Sequence, residues 1–439
     1  MAERPIRPAE GTARDAVDRT PSRTFLSGKF RWIICAVLFI GITKNYMDRQ
    51  VLGVLKETLQ RDRGWNEIDY GNLVFAFQAA YAAGMVLVGR FIDRVGTRIG
   101  YGLTMLFWSV ASMAHALCTS LFSFGVARAA LGLGEAGAFP ASIKTVREWF
   151  PQKERAFATG LFNAGTSVGA IVTPLIVPWI TLRWGWRWAF VITGGIGFLW
   201  FALWMAVYRR PEEHPQCSRE ELEYIRSNAE RPSNPVPWLH LVRYRQTWAF
   251  LLTKFMTDPI WWFYLFWVPG FLQEQHGLKL AQIGLPVVVI YLISDGGSIA
   301  GGWLSSWLID RGYSVNMARK TTLLICALSV VPIIFAYRTH GLWSTTVLIG
   351  LAAAAHQGFS ANLFTTASDM FPGHAVASVV GIGGMAGAIG GMLIATIVGH
   401  VLQATGSYFV PFVIAGGAYL LALGVMHAIV PKLQRVEFV

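Results

Sequence analysis

The chain has 439 residues, 54% of them hydrophobic and 14% charged, with a formal net charge of +12. Its apolar residues fall into repeated blocks of roughly 20, the length a helix needs to cross a bilayer, so a polytopic membrane protein is expected and a soluble globular domain is not. The Lys and Arg are spread over the loops instead of gathering in one stripe, which argues against nucleic acid as the partner that explains the charge.

Residues 1–30 are polar and rich in Arg and Pro, with no apolar core followed by a small-residue cleavage site. They read as a disordered cytoplasmic tail, not as a cleaved signal. Spans are expected near 31–55, 70–90, 99–118, 121–145, 155–180 and 188–208, forming a first six-helix bundle over 31–208. A charged, proline-containing cytoplasmic linker over 209–245 follows, with a short amphipathic helix expected near Glu220–Asn228. The second bundle, 246–430, holds spans near 246–271, 282–309, 319–337, 342–369, 376–400 and 407–430, and residues 431–439 form a second cytoplasmic tail. Alternate loops carry most of the Lys and Arg, including Arg90, Arg94, Arg98, Lys144, Arg147, Arg155, Arg311 and Arg319, against Lys56, Arg61, Arg63, Arg183 and Arg187 on the other face. That asymmetry places both termini in the cytoplasm of a cell whose plasma (inner) membrane the chain spans.

The halves echo one another. Trp149-Phe150-Pro151 and Met370-Phe371-Pro372 lead into the fifth and eleventh spans at an offset that also carries Ala156 onto Ala377, Gly160 onto Gly381 and Gly169 onto Gly390. Asp93-Arg94 answers Asp310-Arg311 at a similar offset. Two parallel six-span repeats are a transporter plan, with the site at the repeat interface near mid-membrane.

The first span sets the chemistry. The apolar run before Lys44 is too short to cross alone, so the helix must carry Lys44, Asp48 and Arg49 to mid-depth, where charges are costly unless they face a protein interior or a watery cavity. Asn45 and Arg49 share one helix face, Lys44 and Asp48 the adjacent one. The Arg49 fork matches a carboxylate bidentately at any physiological pH; the bland alternative is that it only pairs with Asp48 or another acid to lower its burial cost. Lys44 is expected to be structural or an access-path charge able to pair with Asp48.

Further polar groups mark the other spans. Tyr81 lies mid-span; Thr159, Asn163, Thr166 and Ser167 form a polar stripe on the fifth; Trp262 and Tyr264 belong to a proline-interrupted aromatic run on the seventh; His356, Gln357 and Asn362 lie on the tenth. Tyr46, Tyr81, Asn163, Trp262, Tyr264, His356, Gln357 and Asn362 are candidate contacts to a hydroxyl-rich substrate, against the alternative of hydrogen bonding and packing between helices. Lys254 and Asp258 are expected to pair internally, Asp295 to pair or gate, and His115 and His400 to make interhelical hydrogen bonds. Gly132-Leu-Gly134-Glu-Ala-Gly137 and Gly165-Thr-Ser167-Val-Gly169 match a dinucleotide fingerprint and a nucleophile elbow, but each lies inside an expected membrane helix with no strand before it. No metal site, cofactor or nucleotide-driven engine is expected, and neither is an enzyme.

Gly89-Arg-Phe-Ile-Asp93-Arg94-Val-Gly96-Thr-Arg98 resembles the major facilitator signature of the loop between the second and third spans. Arg128-Ala-Ala-Leu-Gly132-Leu-Gly134-Glu135-Ala136 on the fourth span is similar to that superfamily's arginine-and-glycine motif, here with an acid. Together with Asn45-Tyr46-Met-Asp48-Arg49 it resembles the anion:cation symporter family. Glu148-Trp-Phe-Pro151-Gln-Lys-Glu154-Arg155, Asn163-Ala-Gly165-Thr-Ser167-Val-Gly169-Ala170 and Ala355-His356-Gln357 look most like that family's hexuronate branch.

The resemblance implies an all-α major facilitator fold of twelve transmembrane helices in two six-helix repeats. It also implies a symporter working by alternating access, with Arg49 on the substrate carboxylate and Asp48 and Glu135, with Arg128, as the proton-coupling set. Asp93, Arg94, Arg98 and Arg155 are expected at the cytoplasmic gate. The expected partners are a small carboxylate substrate and the lipid bilayer, with protons as the coupling ion and a monomer as the working unit. An aldonate remains the alternative substrate, and a non-transporting sugar-acid sensor the alternative of another class.

Overall fold

The computed structural model describes residues 29–227 and 238–436, so the tail before 29, linker residues 228–237 and residues 437–439 lie outside the described residues. The described residues form helices joined by turns, with no strand among them. The first half comprises α1 (Phe30–Val54), the short α2 (Lys56–Arg63), α3 (Glu67–Val95), α4 (Thr97–Ala114), α5 (Leu121–Glu135), α6 (Ala138–Trp149), α7 (Gln152–Asn163), α8 (Gly165–Trp184) and α9 (Trp186–Val207). The linker carries α10 (Arg219–Arg226) and α11 (Trp238–Leu241). The second half comprises α12 (Arg245–His276), α13 (Gly284–Asp310), α14 (Val315–Val330), α15 (Leu342–Met370), α16 (Gly373–Thr405) and α17 (Phe409–Ile429).

Among the described residues eight helices are long and apolar enough to cross a bilayer alone, or nine when α3 is taken with its bend as one span. The other crossings, α4, α5 with α6, and α12, are shorter, broken or more polar. Arg128 and Glu135 on α5 and Lys254 on α12 are buried inside the protein, so lipid does not meet them. Twelve crossings in two sets of six result. The fourth span, expected as a continuous helix, is interrupted at Ala136-Gly137, whereas the fifth runs on from α7 into α8 through Ala164, whose amide still donates to the Gly160 carbonyl (3.0 Å).

The internal repeat is visible in the backbone. Phe150 (φ −122°, ψ 135°) and Pro151 (φ −62°, ψ 152°) have the same conformations as Phe371 (φ −121°, ψ 147°) and Pro372 (φ −62°, ψ 150°). Each proline lacks the N–H that would continue the preceding helix and pushes its predecessor into extended backbone, so both helices end one residue earlier and restart. The paired glycines do equivalent work. A Cβ at Gly169 would collide with the Thr43 carbonyl and Tyr46 of α1, and one at Gly390 with the Phe255 carbonyl and Pro259 of α12. Each lets its helix pack close against the first helix of its own half.

The two halves meet through α3 against α16, α8 against α13 and α1 against α12. On the face opposite the termini they are bolted together. Tyr70 Oη donates to the Phe266 carbonyl (2.7 Å), the Glu67 amide donates to Gln403 (3.1 Å), and buried Lys56 reaches Glu274 (2.9 Å) and Tyr408 (3.1 Å) as well as Glu67 (2.9 Å). On the terminus face a cavity of about 720 Å³ opens, lined by Asp93, Lys144, Arg147, Glu148 and Arg155 of the first half and Ser378 of the second.

The linker and tail are docked to this frame. The Glu221 carboxylate on α10 accepts from the Phe30 and Arg31 amides (3.2 Å each) and pairs with the Arg31 guanidinium, capping the positive end of α1. The expected linker helix is thus present over Arg219–Arg226. Val436 in the last stretch is buried and donates its amide to the Met370 carbonyl (2.7 Å), so that part of the tail packs on the second bundle.

Candidate functional site

α1 carries its polar groups on two faces that point to different places. Arg49 is buried and turns toward the interface of the halves, where its Nε and Nη2 contact Glu135 Oε2 on α5 (2.9 and 2.8 Å) and its Nη2 donates to Asn45 Oδ1 (3.3 Å). Four aromatic rings surround the guanidinium: Tyr46 (4.9 Å to the centroid), Tyr81 (4.8 Å), Phe77 (5.3 Å) and, from the second half, Trp262 (5.1 Å). An arginine held among ring faces keeps its planar fork oriented, and the Glu135 carboxylate occupies one edge of that fork.

Several buried polar atoms around this centre have no hydrogen-bond partner among the described residues. They are Glu135 Oε1, Asn45 Nδ2, both amide atoms of Gln78, and all three guanidinium nitrogens of Arg128. Arg128 lies over Phe77 (4.5 Å) and Phe266 (5.8 Å) and makes no contact with Glu135 two turns along the same helix, as the spacing predicts. Orphaned buried donors and acceptors are rare in a finished interior, and a cluster of them marks a place where a polar ligand would complete the bonding. Gln78 was not singled out from sequence; its signal is a polar residue three before Tyr81 in a membrane helix, hence on the same face.

Asp48 and Lys44 occupy the other face. They pair with one another inside the first bundle, away from Arg49; Lys44 also donates to Ser109 (2.9 Å) and Asp48 accepts from Ser112 (3.2 Å), both on α4. The Lys44 ammonium lies over Trp108 (5.4 Å).

The other candidates divide by the direction their helices turn them. Trp262 faces Arg49 and lies edge-on to Tyr81. Tyr264, two residues on, is buried among residues of its own half, in a small pocket with Trp261, Val268 and Tyr291. Its separation from Trp262 by about 200° of helix rotation accounts for this. His356 does not face Arg49 either: it hydrogen-bonds Tyr419 (2.6 Å) and stacks on Trp261. Asn362 donates to the Gly301 and Gly358 carbonyls (2.9 Å each), tying α15 to α13. For His356 and Asn362 the interhelical alternative describes the observed bonds. Gln357 is half-buried and Asn163 is exposed at the end of α7.

Lys254 and Asp258 pair as expected (2.8 Å), and Asp295 accepts from Ser167 across the halves (2.5 Å), as Tyr291 does from Gln50 (3.1 Å). His115 bonds backbone carbonyls of its own helix and stacks on Phe190; His400 also bonds its own helix, at Thr396. Of the gate candidates, Asp93 pairs with Lys144 (2.9 Å), Arg98 donates to the Met205 carbonyl (2.6 Å), Arg155 donates to the Phe150 and Arg147 carbonyls, and Arg94 is exposed. These bonds stay within the first half. Among the described residues no group of His, Cys, Asp and Glu is arranged to hold a metal ion.

Twelve crossings in two repeats, with the buried Arg49–Glu135 pair turned to where the repeats meet, are the plan of a membrane transporter. The profile of the Major Facilitator Superfamily matches residues 38–393, and the chain belongs to that superfamily. It is 31% identical to the hexuronate transporter of Escherichia coli (strain K12), over 86% of this chain and 88% of the relative. It is equally similar, at 31%, to the D-galactonate transporter of Escherichia coli O6:H1, over 86% and 91% of the two chains. A probable galactarate/D-glucarate transporter of Escherichia coli (strain K12) is 28% identical over 93% and 96%. Among solved structures, a D-xylose-proton symporter superposes with a TM-score of 0.73 at 16% identity, over 92% of this chain and 99% of the other, which shows the shared fold. The relatives are named as transporters of sugar acids and the structural neighbour as a sugar symporter; the family and these relatives are transporters, not enzymes.

Proposed function

We propose that this protein imports a sugar acid, a hexuronate such as glucuronate or galacturonate, together with protons by alternating access across the inner membrane, both termini lying in the cytoplasm. The observation that carries the reading is the buried Arg49–Glu135 pair: a bidentate cation engaged by an acid that a substrate carboxylate can replace. Protonating Glu135 removes its hold on Arg49. The substrate carboxylate then takes the vacated edge of the fork, Asn45, Gln78 and Tyr81 meet its hydroxyls, and Trp262 brings the second half to it. Glu135 shares its place with the Arg49 guanidinium, so a movement that separates the two changes which of proton or cation it holds.

The energetics favour coupling. Moving one negative charge into a cell held at about −100 mV costs roughly 2.3 kcal/mol, and one co-transported proton cancels that cost. With the termini in the cytoplasm, the closed face is external and the cavity beside Asp93 opens inward. When that side closes, Asp93, Arg94, Arg98 and Arg155 would exchange partners and hold it shut. An aldonate is the second reading, favoured by the equal similarity to a D-galactonate transporter.

Uptake of labelled glucuronate into proteoliposomes under an inward proton gradient, with gluconate and galactonate as competitors, tests the proposal. Accumulation that collapses with the gradient is expected. Uptake of an aldonate but not glucuronate would replace the substrate, and uptake of none would sink the reading.

A further inference from the structure

We infer that Lys44 stands in for a proton on Asp48, so that each transport cycle carries one proton, on Glu135, and moves a monocarboxylate without net charge. The inference rests on the proton-coupled reading above and fixes its stoichiometry.

The two acids near the site are held differently. Glu135 meets a cation that faces the interface of the halves and has one carboxylate oxygen unpartnered. Asp48 is turned into the first bundle, and its carboxylate is engaged by Lys44 and Ser112. Lys44 is built into its place: its amine also donates to Ser109, Trp108 covers it, and Gly197 on α9 leaves room for its stem, since a Cβ there would press on the Lys44 chain and on Ser109. Around the pair α4 and α9 supply hydroxyls and the Trp108 ring, with His115 on the next turn beyond α4 bonded to its own backbone. The further charged groups in electrostatic reach are Glu135 and Arg128 on α5, with Arg49 on α1 itself.

Proton counting follows from this geometry. An ammonium–carboxylate pair and an amine–carboxylic acid pair hold the same number of protons, so transfer within the pair moves none across the membrane. Adding a proton leaves a bare ammonium in the bundle interior; removing one leaves a bare carboxylate. Either is an uncompensated buried charge, the expensive state of a broken buried pair. The pair therefore keeps its proton count through the cycle, whereas a lone Asp48 would have to gain a proton whenever it is buried. One proton on Glu135 and one substrate carboxylate sum to zero.

The test compares glucuronate uptake by the full-length protein in proteoliposomes under separately imposed proton gradients and potassium diffusion potentials, with currents read on a solid-supported membrane. For the native protein the expected result is accumulation that follows the proton gradient and ignores the potential, with no sustained current. Lys44→Met frees Asp48 to take a proton, and its uptake should become electrogenic, with accumulation rising by about 50-fold per 100 mV of inside-negative potential. Lys44→Met with Asp48→Asn should restore a current-free cycle, and it decides the matter if the single variant fails to reach the membrane. Native uptake that carries net positive charge, an active Lys44→Met that stays indifferent to potential, or a double variant that is inactive or electrogenic overturns the inference. Failure of the transport reading looks different: no gradient drives glucuronate into vesicles holding the native protein.

Discussion

Arg49 concentrates the recognition problem in one side chain. Its fork is oriented by four rings and held by Glu135, so a lysine there keeps the charge but loses the planar, bidentate geometry and the ring stacking. Arg49→Lys, which keeps the charge but loses the fork, is predicted to weaken glucuronate binding by roughly 30-fold, the lower end of the about 2–5 kcal/mol cost of breaking a buried charged contact, measured by titration of the purified carrier. Binding within a few-fold of native would assign Arg49 to structure alone. How far such roles were legible varied by residue. The Lys44–Asp48 pair follows from four-residue spacing on one helix. The Arg49–Glu135 pair, 86 residues apart, does not follow from any local pattern; the sequence offered Asp48 or another acid as the partner, and Asp48 is taken by Lys44. His356 and Asn362 show the other limit: a polar residue in a membrane helix avoids lipid, but sequence alone does not say whether it turns to the substrate path or to a neighbouring helix.

At the scale of elements, close helix approach was readable where glycines repeat. Gly169 and Gly390 were matched by the internal offset, and both lie where a side chain would meet a carbonyl of the facing helix. Gly169→Val is predicted to destabilise the protein by about 1–3 kcal/mol through overpacking of α8 on α1, seen as a lower thermal midpoint in detergent. Gly160, with no atom within 4 Å of an added Cβ, should accept alanine without loss. Equal midpoints for the two variants would contradict this account of the α1–α8 contact. The interruption of the fourth span at Ala136-Gly137 does not follow from its hydropathy. Hydropathy reports that a stretch prefers lipid or protein to water; it does not report where the helix axis is interrupted.

For the whole molecule, the count of spans, the two repeats and the linker helix were legible because each leaves a pattern in hydropathy or spacing. The conformational state was not, because it depends on contacts between distant segments such as Lys56 with Glu274 and Tyr408. That latch makes opening of its face measurable. Spin labels at the exposed positions Arg61 and Ala404 should report a longer distance in Lys56→Met than in the native protein. Beside the latch, partial burial and then Glu274 push the Glu57 carboxyl up to about 7. The closed face thus favours the neutral acid: the contribution is full below the ordinary range of a glutamate and is lost as pH rises through about 7. The short-distance population should fall over that interval, and Glu57→Gln should flatten the dependence. The central claim is that substrate replaces a protonated Glu135 at Arg49. The affinity of the purified carrier for glucuronate as a function of pH, in the native protein and in Glu135→Gln, tests it most directly. Above the pH at which Glu135 ionises in the empty carrier, native affinity should fall about tenfold per pH unit, the signature of one linked proton, while the variant's should stay level. The same slope in both proteins would contradict the account.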